Sequence, residues 1–176
     1  VAMLIQLLNV AILLPLLVII FFLFSCFKIL KEYERGVIFT LGRLKKTKGP
    51  GLVFIIPFVD MMVKMDLRLI SIDVAKQEIM TRDNVPVTVD AVIYFKIFEP
   101  TKALTEVANY YQSTFLIAQT TLRSVLGAVE LDELLSQRDK INLSLREIID
   151  KQTAPWGVKV PIVEIKAITL PETMMR

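Results

Sequence analysis

The sequence predicts an α+β protein in which an N-terminal transmembrane helix precedes a domain with a β-rich first half and helices packed on a sheet in the second half. Three observations carry this reading. Val1–Phe27 contains no Lys, Arg, Asp or Glu, and 23 of its 27 residues are apolar. Between Tyr33 and Phe98 several segments alternate apolar with polar residues, the period of half-buried strands. From Pro100 the period lengthens to that of helices, and it returns to two after Gly157.

The first segment sets the setting for the rest. A helix of 27 residues reaches about 40 Å, enough to cross a ~30 Å hydrocarbon layer with some tilt. Leu7, Leu14, Leu17, Ile20, Phe24 and Phe27 are the candidate anchoring side chains. A secretory signal peptide would need a charged start, a shorter apolar core and a small-residue cleavage site, and none is visible. Pro15 divides the segment into two arms, so a kinked spanning helix and a re-entrant hairpin both stay open. Cys26 falls at the expected boundary, either as a small apolar residue or as a site of acylation.

Composition narrows the chemistry beyond the anchor. Net charge is +3, but Lys28–Lys48 holds seven basic residues against Glu32 and Glu34. A basic cluster beside a span favours the cytoplasmic side and anionic lipid, so the domain is expected at the cell membrane on its cytoplasmic face. Nucleic acid is not an expected partner, because no stacking aromatics accompany the cluster. The chain has no histidine and one cysteine. That excludes intramolecular disulfides, His-containing zinc sites and Ser-His or Cys-His nucleophile pairs. There is also no Gly-x-Ser-x-Gly and no phosphate-cradling glycine loop, so neither an enzyme nor a cofactor is expected.

In chain order, Tyr33–Gly42 reads as a strand, followed by a basic turn over Arg43–Lys48. Gly49–Asp60 is an apolar run fenced by Gly-Pro-Gly and Pro57, either a buried strand or a loop pressed into the bilayer. Arg43, Lys45, Lys46, Phe54, Ile55 and Phe58 are therefore candidates for contact with the membrane surface. Met62–Ile72 alternates as a half-buried strand. Gln77–Met80 and Val85–Phe98 flank Thr81-Arg82-Asp83-Asn84, which has hairpin-turn chemistry. Val87, Val89, Ala91, Ile93 and Phe95 share the inward face.

Pro100 suits the first turn of a helix, and Asn109–Val125 follows as a second. A third places Leu131, Leu134, Leu135, Arg138, Ile141, Leu145, Ile148 and Ile149 on one face, with Asp132 and Glu133 at its dipole-favoured start. Trp156 sits in the turn that follows, either packed against that helix or as an aromatic anchor. Val158–Ile168 alternates as a strand, and Pro161 within it argues for an edge or a bulge. The divisions are thus a membrane anchor over 1–30, a β-rich part over 31–98, a helical part with its closing strand over 99–170, and the start of a helical extension over 171–176.

Thr81–Pro100 (TRDNVPVTVDAVIYFKIFEP), Ala118–Asn142 (AQTTLRSVLGAVELDELLSQRDKIN) and Pro155–Met174 (PWGVKVPIVEIKAITLPETM) closely resemble stomatin-like proteins, the slipins of the stomatin/prohibitin/flotillin/HflK-C superfamily. ERGVIFTLGRL and KGPGLVFIIPFVD match as well, so the resemblance covers nearly the whole chain. It implies a band-7 (SPFH) domain behind a membrane anchor. It also implies a non-enzymatic scaffold that forms homo-oligomeric rings or cages, organises membrane microdomains or regulates neighbouring membrane proteins. A membrane protease or an NfeD-type membrane protein is the partner class implied for the alternative role of regulatory subunit. Many members continue into a coiled coil. This chain ends at Arg176, where that would begin, so it is expected either to be part of a longer polypeptide or to lack that element.

Charged residues on the helices were weighed as assembly contacts. Arg123 and Arg138 interrupt apolar faces and suit bidentate pairing with Asp132, Glu133 or Asp139, within one chain or between copies. Glu130, Asp132 and Glu133 form an acidic group that helix capping explains without acid–base chemistry.

Overall fold

The computed structural model describes residues 2–171, and the chain divides into two compact units, Val1–Asp66 and Leu67–Arg176. The expected start of a helical extension lies, from residue 172 onward, outside the described residues.

The first unit opens with helix α1 (Ala2–Ser25), continuous through Pro15. A proline inside a helix removes one backbone hydrogen bond but need not break it where neighbouring groups adjust. The chain therefore forms one uninterrupted helix of ~36 Å rather than two arms of a hairpin. Five strands follow: β1 (Phe27–Leu30), β2 (Glu34–Thr40), β3 (Arg43–Lys48), β4 (Gly51–Phe54) and β5 (Asp60–Asp66). β1 pairs antiparallel with β4, and a second antiparallel sheet runs β3-β2-β5.

The basic stretch Arg43–Lys48 is thus a strand, not the expected turn. The turn is Leu41-Gly42, whose φ values of 50° and 80° match a two-residue I′ hairpin, and Thr40 pairs directly with Arg43. The strand expected over Met62–Ile72 stops at Asp66 and resumes at Ile70. A small core of Leu30, Ile38, Val53 and Ile55, backed by Met62, holds the two sheets together. Gly36 lets Met62 and Leu30 pack close, since a Cβ there would lie 2.7 Å from Met62 Sδ and 3.0 Å from Leu30 Cδ1 and those side chains would have to shift.

The second unit is a three-stranded antiparallel sheet, β6 (Ile70–Met80), β7 (Pro86–Ile97) and β8 (Val158–Thr169), in the order β6-β7-β8. One face is covered by α3 (Tyr110–Leu126) and α5 (Arg138–Thr153), with the short helices α2 (Pro100–Thr105) and α4 (Leu131–Ser136) alongside. Val87, Val89, Ala91, Ile93 and Phe95 are all buried, as their alternation requires. Strands β6 and β7 belong with the helices because β8, more than sixty residues later, completes their sheet.

Two details differ from the periodicity. The expected third helix is two helices, broken at Gln137 (φ −121°, ψ 44°). No Gly or Pro marks the break, but Ser136 Oγ donates to Asp132 O at 2.6 Å, a local bond that competes with helical geometry. β8 is an edge strand, as Pro161 requires. A bulge opposite Phe95 passes the inward face from Val158 and Val160 to Val163 and Ile165, leaving Ile162 exposed.

Candidate membrane-docking surface and interface residues

The end of α1 is stapled into the first unit by backbone and rings. Ile55 N donates to Cys26 O at 2.8 Å, directly after the last helical turn. Phe27 and Phe54, paired across β1 and β4, meet edge to face with centroids 5.7 Å apart. The Cys26 thiol is buried and donates to Phe22 O at 3.3 Å, so it faces inward rather than outward. Of the anchoring candidates, Leu7, Leu14, Leu17, Ile20 and Phe24 lie on α1 and Phe27 begins β1; all six are exposed. No part of the helix window Gln6–Ser25 is buried. A helix that is apolar on every side yet packs on nothing fits a hydrocarbon environment.

Around this exit, apolar side chains crowd the surface. Phe54, Ile29 and Leu52 project from the β1–β4 pair, and Phe58 at the tip of the following loop is 97% exposed. Ile55 does not join them. Only 7% of it is exposed, because it turns inward against Leu30, Ile38 and Val53. Leu41 and Phe58 both adopt left-handed backbone conformations (φ 50° and 72°), which cost an L-residue roughly 1–2 kcal/mol each.

The loop that carries Phe58 is held by Asp60. Its carboxylate accepts from Thr40 Oγ1 at 2.6 Å and from Ile56 N at 3.2 Å. The Thr40 bond, then the Ile56 amide and the charge of Lys45, hold the Asp60 carboxyl below the usual range. Leu41 N also donates to Val59 O at 3.0 Å, so the two turns are clasped together.

Arg43, Lys45 and Lys46 all lie on β3, the edge of its sheet, and all are exposed. Arg43 and Lys46 face the uncharged Thr40 and Ile38 on β2, and Lys45 sits at the bulge between them. None of them forms an ion pair among the described residues. Lys46 is pulled below the usual lysine range by its interaction with Lys48, one like charge against another.

The interface candidates occupy the second unit. Asp132, Glu133, Arg138 and Asp139 cluster in sequence around the α4–α5 break, whereas Arg123 stands apart on α3. Arg123 Nη2 donates to Gln77 Oε1 at 3.2 Å, not to a carboxylate. Glu133 faces Lys140 at 3.8 Å. Among the described residues neither arginine pairs with Asp132, Glu133 or Asp139 inside this chain. The arrangement holds no group of three metal-ligating side chains among the described residues.

The SPFH domain / Band 7 family matches residues 28–176, almost everything beyond the apolar helix. The chain belongs to this family. It is 56% identical over 161 residues to a stomatin homolog of Pyrococcus horikoshii, covering 92% of this chain and 60% of that protein. It is 49% identical over 154 residues to Stomatin-1 of Caenorhabditis elegans, covering 87% and 47%. To stomatin-like protein 3 of Homo sapiens it is 45% identical over 166 residues, covering 92% and 57%. The chain spans about 60–65% of the length of its archaeal relatives. Family and apolar helix together support membrane association.

Within this band-7 domain the structure adds polar residues that sequence reading passed over. Arg82 pairs with Glu130, and Arg82 N donates to Val129 O at 3.0 Å. Glu130 raises the Arg82 guanidinium above its ordinary value. Asp83 Oδ1 accepts from Thr81 Oγ1 at 2.6 Å and from Leu131 N at 3.3 Å. The hairpin tip is thereby fastened to the start of α4. Gln77, buried beside a bulge in β6, donates to Ala75 O at 2.9 Å and accepts from both Gln119 and Arg123. The signal for the first group was present in the turn sequence. Gln77 gave none, since a glutamine in a strand is ordinarily exposed.

Proposed function

We propose that this chain is the anchor and docking domain of a non-enzymatic membrane scaffold: α1 crosses the bilayer, the first unit rests on the lipid surface, and the second unit meets copies of itself. The observation that carries the reading is the staple between Cys26 O and Ile55 N, which ties an unburied apolar helix to a strand pair rimmed by Phe27, Phe54 and Phe58. Exposed apolar area of this kind beside an anchor gains free energy at about 25 cal/mol per Å² when covered by lipid. Arg43, Lys45 and Lys46, uncompensated on β3, add about 1 kcal/mol each near an anionic surface. The unpaired Arg138, Asp132 and Asp139 are the charges that set register between neighbouring copies, and assembled copies organise lipid or adjacent membrane proteins.

Docking is tested by Phe54→Trp in a Trp156→Phe background, reconstituted into vesicles. Brominated acyl chains should quench the new tryptophan by more than half while aqueous iodide has little effect. Full quenching by iodide with none from bromolipid contradicts docking. A basic strand beside a membrane span favours the cytoplasmic side for the domain. Lys46→Cys in a Cys26→Ser background should resist membrane-impermeant thiol reagents in intact cells and react in inverted vesicles; labelling of intact cells reverses the orientation.

A further inference from the structure

Beside the Phe58 loop lies an open groove of about 630 Å³, within the first unit and lined by Phe39, Leu41, Val59, Met61 and Val63, with Phe58 at its rim. Its size falls in the ~300–1,000 Å³ range of small-molecule sites, and its walls are almost wholly apolar. The one acidic lining residue, Asp60, spends both carboxylate oxygens on Thr40 and Ile56, so it fixes the wall rather than offering a polar contact. Two walls are held open against backbone preference. Leu41 and Phe58 sit in left-handed conformations that point large apolar side chains outward, and the Leu41–Val59 hydrogen bond locks the pair of turns in that state. The Leu41 conformation is the one its hairpin turn requires, whereas Phe58 holds a left-handed backbone with its ring 97% exposed, an apolar tip that gains from being covered.

We infer that this groove holds a single phospholipid acyl chain from the leaflet next to the exit of α1. The inference rests on the docking reading and specifies a bound lipid within it. Three features select lipid over a protein partner. The groove's loop follows directly from the residue bonded to the last turn of the anchor, so it lies where the helix leaves the bilayer. Its lining is mostly apolar side chains, which offer little to a peptide backbone, whereas an alkyl chain needs no polar partner. The neighbouring strand β3 carries Arg43, Lys45, Lys46 and Lys48 without ion pairs among the described residues, which complements a headgroup phosphate. The bound chain would fix the height and tilt of the domain on its membrane.

Native mass spectrometry of the full protein, extracted in mild detergent, tests this. Wild type should retain one phospholipid per chain. Leu41→Asn combined with Phe58→Asn keeps residues that tolerate left-handed backbone while removing both apolar walls, and should lower retention at least tenfold. Met61→Gln provides a second variant with ordinary backbone geometry and should lower it at least threefold. Equal retention in wild type and variants, or none in wild type, overturns the inference. A change in assembly size without a change in retained lipid also overturns it, in favour of a second copy as occupant. Bromolipid quenching at position 54 is read in the same preparations after reconstitution: quenching without retained lipid leaves docking intact and removes only the lipid site, whereas loss of quenching removes docking itself.

Discussion

Gly157 shows how one residue can fix a junction. It ends the 3-10 turn Ala154–Trp156 with φ 69°, and its carbonyl accepts from Phe98 N at 2.9 Å and Glu99 N at 3.2 Å. A Cβ there would stand 2.3 Å from Glu99 O, with backbone rather than a flexible side chain in the way. Gly157→Ala therefore meets both strain and a clash, and should cost at least about 3 kcal/mol. Gly42 has a similar φ of 80° but nothing within 4 Å of a Cβ, so Gly42→Ala should cost only about 1 kcal/mol. Thermal unfolding in detergent, comparing the two variants, checks the difference; equal losses would show that the contact with Glu99 is not decisive. Leu41 carries the same kind of strain as part of its hairpin turn, and Phe58 carries it at a loop tip without glycine's freedom.

Among the elements, the hairpin tip between β6 and β7 is joined to the start of α4 by groups that titrate. The Thr81 hydroxyl bonded to Asp83, and then the backbone amides at its carboxylate, hold the Asp83 carboxyl below the usual range. A depressed carboxyl contributes stability that is present above the unfolded value of ~4 and is lost as pH falls through the folded value. Asp83→Ala should thus lower the unfolding temperature at pH 7, and the gap from wild type should close as pH drops below ~4. A gap that stays constant across that range would assign the effect to packing alone. The edge of β8 is finished by α5 in a related way. Asp150 Oδ1 accepts from Val160 N at 2.9 Å and Asn142 Oδ1 from Ile165 N at 3.1 Å, so side chains satisfy strand amides that have no partner strand.

These elements also mark what could be read in advance. The anchor, the hairpin at Thr81–Asn84 and the inward row Val87 to Phe95 follow from composition and period, because each is decided by neighbours in the chain. The helix break at Gln137 turns on a hydroxyl bond that helical periodicity does not register, and the partnership of β8 with β7 depends on contacts more than sixty residues apart. The basic stretch reads as a turn because lysines are poor strand formers in general, yet an exposed edge strand tolerates them and is protected from aggregation by them. For the site, residue types were legible but facing was not. Phe54, Ile55 and Phe58 look equivalent in sequence, and it is the Ile55 N–Cys26 O bond just past β4 that seats Ile55 inward beside Val53.

Taken whole, the molecule is unequal in its two units. The second has a core of nineteen buried side chains, including Phe95, Leu126, Leu134, Leu145 and Ile149, whereas the first has a cluster of four. A two-stranded sheet such as β1–β4 is marginal alone in water, so the first unit gains from any surface that covers its exposed aromatic rim. In the proposed scaffold, lipid covers the first unit and the charged α4–α5 region of the second is left for contact between copies. Exposed ion pairs contribute only ~0–1 kcal/mol each, so the proposed assembly would rest on many copies brought side by side in the membrane rather than on one strong pair. Sizing of the full-length protein after extraction in mild detergent tests this most directly. The scaffold account predicts large, discrete particles containing many copies, and a monomer across the whole accessible concentration range would contradict it.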